Sequence, residues 1–115
     1  MELEMDKKPV FVKRDEKIKQ TKVSGKLYNL KVKSEKMEAV VSELDPYSES
    51  RWYEHKGEEI HLMLHGEMDY IIGDKTYHLD EGDVLWHPSE IKHRAKNLSG
   101  EKISYITIGT PPTFM

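Results

Sequence analysis

The chain has 115 residues and a formal net charge of −3, and 34% of its residues are charged. This length is enough to bury a core without disulfide bonds or a structural metal. The absence of cysteine excludes disulfides, thiolate zinc sites and cysteine nucleophiles, and the negative net charge argues against nucleic-acid binding. No apolar stretch reaches transmembrane length and the charged start lacks a signal-peptide core, so we expect a soluble cytoplasmic protein without a membrane partner.

The first third of the chain predicts three strands after a polar start. Residues 1–8 are expected to form a flexible N-terminus. The apolar run 9–12 predicts a short strand, and the charged segment 15–20 predicts a connection or one turn of helix. Residues 27–32 and 39–44 alternate apolar and polar side chains, as strands with one buried face do.

Six further strands follow at short intervals. They are predicted at 60–64, 68–72, 76–79, 84–86, 93–97 and 103–108. Gly73-Asp74 predicts a tight hairpin, because glycine readily adopts the positive φ that such turns need. Nine short strands without helical periodicity are typical of an all-β sandwich or barrel. Two prolines near the end cannot continue a central strand, and we expect Phe114 to pack back onto the barrel.

Histidine and glutamate side chains supply the candidate chemistry. Strand alternation places Glu59, His61 and Met63 on one face. His55 lies four residues before Glu59 across a glycine-containing turn, so the two side chains can converge on one point. If the fold brings His93 to them, the three form a set of two imidazoles and one carboxylate, which suits a divalent transition metal and leaves coordination positions open for a ligand.

The spacing around His55 resembles the first motif of the cupin superfamily, whose fold is a double-stranded β-helix or jelly-roll barrel. That motif runs His-x-His, three or four residues, Glu, six residues, Gly. His55, Glu59 and Gly66 occupy its later positions, whereas Tyr53 stands where the first histidine is usual. The resemblance therefore implies an all-β cupin barrel whose metal site differs from the usual motif at one position, Tyr53.

A second stretch resembles the second cupin motif, which runs Gly, five residues, Pro-x-Gly, two residues, His, three residues, Asn. Gly82, Pro88, His93 and Asn97 occupy these positions, and Glu90 replaces the second glycine. The resemblance implies one cupin type-2 domain over residues 9–115, with a barrel core at about 39–109.

A narrower resemblance, to the C-terminal sensor domain of helix-turn-helix/cupin regulators, covers more of the chain. It rests on residues 9–16, on the segment from Tyr53 to Glu59 and on residues 110–114. The likeness begins too close to residue 1 to leave room for a helix-turn-helix. We therefore expect no nucleic-acid binding by this chain alone.

The cupin resemblance implies that His55, Glu59 and His93 hold a divalent metal. The types of ligand do not distinguish among Fe, Mn, Ni, Co and Zn. Tyr53 would be a weak fourth ligand or a nearby hydrogen-bond donor. In the alternative interpretation these polar groups line a pocket and bond each other, water or an organic ligand.

We predict a ligand pocket formed by Tyr53, His61, Met63 and Trp86. His61 is interpreted as a hydrogen-bonded residue of the barrel lining, with a role as an extra ligand as the alternative. The other histidines, His65, His78 and His87, are predicted to be surface or rim residues.

Three functions are consistent with this sequence. The first is a stand-alone cupin that binds a small molecule and a divalent metal, with a sensor-like or accessory role. The second is a metal-dependent enzyme of the dioxygenase, isomerase, decarboxylase or lyase type, in which Tyr53 or His61 acts as acid or base on a small oxygenated substrate. The third is a structural dimer with a vestigial pocket. The doubly apolar strand 60–64 and the strand-like N-terminal segment favour a homodimer, with sheet or arm exchange between subunits.

Overall fold

The computed structural model describes residues 8–114, which form nine β-strands and no helix. The strands are β1 (Lys19–Val23), β2 (Lys26–Lys33), β3 (Glu38–Leu44), β4 (Glu58–His65), β5 (Met68–Ile72), β6 (Lys75–Leu79), β7 (Val84–Pro88), β8 (His93–Lys96) and β9 (Ile103–Thr110). The described part of the chain therefore offers no helix that could cross a membrane.

The strands form two antiparallel sheets. The larger sheet has the order β1-β2-β3-β9-β4-β7, and the smaller has the order β6-β5-β8. Their facing sides enclose a core of buried side chains, which are Leu44, Met63, Met68, Tyr70, Leu79, Ala95, Ile103 and Tyr105. Burial alternates from residue to residue along β3, β5 and β8, as the period-two pattern in the sequence predicts.

Eight predicted strands are confirmed, with ends shifted by no more than two residues. The hairpin at Gly73-Asp74 is also confirmed, since Ile72 pairs with Lys75 and Gly73 has a φ of 62°. The aromatic ring of Phe114 packs edge-on against Tyr28, with the ring centroids 6.3 Å apart. The backbone N–H groups of Thr113 and Phe114 donate to the buried Glu38 carboxylate, so the C-terminal tail is fastened to the barrel.

The prediction for the first strand was wrong in position. Residues 9–12 form no strand, and Phe11 is 83% exposed. The chain instead forms β1 at Lys19–Val23, which overlaps the predicted connection, and β1 pairs along its whole length with β2. Backbone pairing to an existing strand outweighs the low apolar content of this segment. Except for Lys8, the predicted flexible N-terminus lies outside the described residues.

The outer face of the larger sheet is apolar near one edge. In the strand register, Ile60 lies between Trp86 and Ile108, and Leu62 lies between Val84 and Ile106. Residues opposite one another in antiparallel strands point to the same face. Ile60, Val84 and Trp86 are 42%, 62% and 56% exposed, so nothing in the described chain covers this surface.

Candidate metal and ligand site

Three structural elements bring the polar side chains together. β4 carries Glu59 and His61 on its inner face, and the turn before β4 carries His55. His87 lies directly opposite Glu59 in the pairing of β4 with β7, so both point inward. His93 begins β8 and reaches the same point from the smaller sheet. The result is a cluster of four imidazoles around one carboxylate.

The Glu59 carboxylate is at the centre of this cluster. Its Oε1 atom lies 3.1 Å from Nε2 of His93, 3.3 Å from Nε2 of His87 and 3.8 Å from Nε2 of His61. Its other oxygen, Oε2, lies 3.6 Å from Nε2 of His55. Oε1 therefore faces three imidazoles and Oε2 faces one, and the predicted triad of His55, Glu59 and His93 is brought together.

The hydrogen bonds of three rings determine which nitrogen carries the proton. Nδ1 of His93 donates to the Ile91 carbonyl at 2.7 Å, and Nδ1 of His55 and of His87 donates to the carbonyl oxygen of the next residue. A carbonyl oxygen can only accept, so the neutral rings present Nε2 as a lone pair. Imidazoles oriented in this way are suited to metal coordination through Nε2.

The converging atoms are acceptors without well-directed donors. Oε1 of Glu59 and Nε2 of His93 are both buried, and neither makes a well-oriented hydrogen bond in the described part of the chain. A carboxylate oxygen and an imidazole lone pair repel each other unless a proton or cation lies between them. The donor set therefore fits a divalent cation.

His61 and His87 form a buried pair beside this point. Their Nε2 atoms are 2.9 Å apart, and Nδ1 of His61 lies 2.7 Å from Oγ1 of Thr107. Because Nε2 of neutral His87 accepts, Nε2 of His61 donates to it and the Thr107 hydroxyl donates to Nδ1 of His61. A hydroxyl can also accept, so Thr107 can support the other tautomer of His61.

Burial and charge set the protonation of the two inner groups. Burial alone would raise the pKa of Glu59, but hydrogen bonds from His87 and His93, in the form in which their Nε2 atoms carry a proton, hold this pKa well below its usual value. Burial lowers the pKa of His61 to about 3, against the attraction of Glu59. Near neutral pH the site therefore contains an ionised carboxylate beside a neutral His61.

Three members of the cluster, His55, Glu59 and His61, line one wall of a cavity of about 520 Å³. This volume lies within the range of small-molecule sites. Of the predicted pocket residues, Tyr53 and His61 line the cavity. Met63 does not: it is 1% exposed and belongs to the hydrophobic core. Its position next to His61 on the inner face places it among the core side chains between the sheets.

Trp86 and His87 were assigned to the wrong faces of their strand. Trp86 is 56% exposed and its indole N–H donates to Glu58 at 2.7 Å, so it does not line the cavity. His87 was predicted to be a rim residue, yet it is 2% exposed within the cluster. The two residues alternate along β7, and the apolar character of tryptophan favoured the wrong choice. The predictions for His65 and His78 are confirmed, since both are exposed.

Sequence reasoning also missed a lysine in the cavity wall. Lys26 is 6% exposed, and its Nζ lies 4.5, 5.0 and 5.1 Å from the ring centroids of Tyr28, Tyr53 and Tyr105. Burial lowers the pKa of Lys26 to about 7, while the charge of Glu59 opposes the shift and that of Arg51 adds to it. A lysine at the start of a strand gives no sequence signal of burial; only the folded positions of the tyrosines reveal it.

Comparison with known proteins agrees with this architecture. Residues 40–109 match the family described as the cupin domain. The chain belongs to the cupin family. An uncharacterized protein from Archaeoglobus fulgidus is 28% identical over 64 residues. That match covers 56% of this chain and 60% of the relative, so the cupin chain spans less than two thirds of its relative's length.

Solved cupin-like structures show the same fold at low sequence identity. KdgF from a Halomonas species has a TM-score of 0.81 and 18% identity, and the match covers 92% of this chain and 96% of that protein. A predicted oxalate decarboxylase from Thermotoga maritima has a TM-score of 0.76 and 19% identity, covering 88% and 98%. The polyketide cyclase RemF from Streptomyces resistomycificus has a TM-score of 0.73 and 16% identity, covering 91% and 87%. The predicted double-stranded β-helix is thereby confirmed.

Proposed function

We propose that this cupin binds a small molecule in its cavity together with a divalent metal held by His55, Glu59 and His93, in a sensor-like or accessory role. The observation that carries the proposal is the buried, unpartnered pair of Glu59 Oε1 and His93 Nε2, 3.1 Å apart, where the Glu59 side chain lines the cavity. A cation bound between these two atoms would be coordinated by both and would remove their mutual repulsion. Bound metal would act as a Lewis acid toward a ligand in the open positions.

Elemental analysis of protein purified without a nickel column tests the metal. We expect one of Fe, Mn, Ni, Co or Zn at near-stoichiometric level after supplementation with all five. His93→Ala should remove most of it, whereas His65→Ala should not, because the His65 side chain is 65% exposed away from the cluster. Metal-free protein after supplementation, or His93→Ala with unchanged metal content, would refute the assignment of these ligands.

The alternative function is a metal-dependent enzyme acting on a small oxygenated substrate. One observation favours it: the Tyr53 hydroxyl is buried at the cavity without a hydrogen-bond partner in the described chain. A hydroxyl in this position could donate a proton to a bound substrate. The structural relatives also include a protein described as a polyketide cyclase and another described as a predicted oxalate decarboxylase. Turnover of a candidate substrate by the metal-loaded protein, lost in Tyr53→Phe with metal retained, would favour the enzyme.

We also infer that the protein is a cytoplasmic homodimer. Support for the dimer comes from the exposed apolar face of β4, β7 and β9, which a second copy could cover. Contiguous apolar patches of this kind mark interaction surfaces. Fractionation of the source cells tests the location, and light scattering tests the oligomeric state.

A further inference from the structure

We propose that the cavity binds an organic carboxylate, whose oxygens are held by the Lys26 ammonium group and the Tyr28 and Tyr53 hydroxyls. Arg51, which also lines the cavity, would add positive charge near the same place. This inference deepens the proposed function, because it names the chemical class of the small molecule.

The first support is a buried amine without a counter-ion. Lys26 lines the cavity, and within residues 8–114 no carboxylate lies within ion-pair distance of its Nζ atom. Its contacts are instead with the faces of the three tyrosine rings. Ring faces attract a cation but compensate only part of the cost of removing it from water. An anion bound in the cavity would supply the missing partner.

The second support is a pair of hydroxyl groups that can donate hydrogen bonds but have no acceptor in the described part of the chain. The Tyr28 and Tyr53 hydroxyls are buried and have no hydrogen-bond partner in the described part of the chain. Burial raises the pKa of Tyr28 to about 12, so its phenol keeps the proton at neutral pH. Lys26 Nζ lies over both rings. One carboxylate could therefore accept from the ammonium group and a phenol together, and such charge-assisted bonds are the stronger kind.

The cavity favours an organic acid over an inorganic anion. Its volume of about 520 Å³ exceeds what a phosphate ion would fill, and apolar side chains such as Val40 and Phe114 line it as well. The same cavity contains the Glu59 carboxylate, which repels a second anion placed close to it. The ligand that fits is one whose carboxylate lies at Lys26 and whose uncharged oxygens extend toward the imidazoles.

Calorimetric titration of metal-free protein tests this proposal, because a carboxylate added to it cannot bind by coordinating a metal. The probes are acetate, benzoate and gluconate, their amides acetamide, benzamide and gluconamide, and inorganic phosphate. We expect saturable binding of at least one carboxylate, with its amide at least tenfold weaker. Lys26→Met, which keeps the side-chain length, should weaken that binding by about tenfold to a hundredfold. Lys75→Met, at an exposed lysine of β6, should bind like the wild type.

Tyr28→Phe provides a second test that keeps the ring and removes only the hydroxyl. It should weaken carboxylate binding by a few-fold to about tenfold. The proposal is overturned if no carboxylate binds, if the amides bind equally well, or if both variants bind like the wild type. Tighter binding of phosphate than of every carboxylate tested would overturn the proposal that the ligand is organic. Metal content measured on the same proteins separates the two ideas, since loss of the metal site would leave these metal-free titrations unaffected.

Discussion

Tyr53 and His93 are joined by reciprocal backbone hydrogen bonds. The N–H of each donates to the carbonyl of the other, at 2.8 and 2.9 Å. These bonds do not involve either side chain, so the two positions stay adjacent whatever residue occupies position 53. Their rings are 5.8 Å apart, centroid to centroid. The tyrosine is therefore held where a metal-binding imidazole would fit.

Tyr53→His should strengthen metal binding. A neutral imidazole is a ready ligand, whereas a phenol must lose its proton to become an anionic one. We expect the dissociation constant for Zn²⁺ or Co²⁺ to fall by about tenfold, or about 1.4 kcal/mol, in calorimetric titration. Tyr53→Phe is the matched control and should leave the affinity within a few-fold. Equal affinities of the histidine and phenylalanine variants would contradict the placement of position 53.

Lys26 should make folding stability depend on pH in the alkaline range. Its pKa is about 7 in the folded protein, against 10.5 for an unperturbed lysine, so between these values the unfolded chain holds a proton that the folded chain has released. Stability then rises with pH across this window, and the full cost of the buried charge applies below pH 7.

Lys26→Met should remove this dependence and raise the stability of the ligand-free protein at pH 6 by a few kcal/mol at most. Thermal unfolding between pH 6 and 10 measures both effects, with Lys75→Met as the control for a lysine at an exposed position. A Lys26→Met profile as steep as that of the wild type would show that the amine is not buried in solution.

The turn between His55 and β4 illustrates how one element positions the site. Gly57 has a φ of 105°, and a methyl group at this position would overlap the carbonyl oxygen of Thr110. Only glycine allows the turn to pass so close to the end of β9. This close approach determines where His55 and Glu59 lie relative to each other.

Gly57→Ala should lower both stability and metal affinity. We expect a loss of about 2 kcal/mol or more in the free energy of unfolding, because strained backbone and steric overlap act together. Gly82→Ala is the matched control: its φ is 87°, but a methyl group there would meet nothing within 4 Å. Urea denaturation should show the smaller loss for Gly82→Ala, and equal losses would mean that backbone strain alone governs both turns.

Strand alternation predicts more of this molecule than side-chain chemistry does. Eight strands could be anticipated because period-two patterns are local features, and His93 could be grouped with His55 and Glu59 because the cupin resemblance implies it. β1 could not, since its stability comes from pairing with β2 rather than from its own apolar residues. His87 was missed because the face a strand buries depends on its neighbour, and the pairing with Glu59 exists only in the folded sheet.

At the scale of the whole molecule, the outer face of the larger sheet exposes apolar side chains to water. Trp86, Ile60 and Ile108 form one row across β7, β4 and β9, and each is more than a third exposed. Transfer of apolar area out of water favours covering such a surface. A second copy of the chain, packed through the same face, would do so symmetrically.

Trp86→Glu should dissociate the proposed dimer. We expect light scattering at micromolar concentration to give twice the chain mass of 13.5 kDa for the wild type and the single mass for the variant. Tyr77→Glu, at an exposed aromatic on the smaller sheet, should stay dimeric. A monomeric wild type would disprove the dimer, and a dimeric Trp86→Glu would place the contact elsewhere.

The fastened C-terminal tail has a consequence for how the protein is prepared. Phe114 contacts Tyr28, and Thr113 and Phe114 both line the cavity. Any peptide that continues closely after Phe114 would thus start beside the cavity. A C-terminal hexahistidine tag would add six competing imidazoles close to it and inflate the measured metal content. Purification handles therefore belong at the other end of the chain, or should be cleaved before metals are counted.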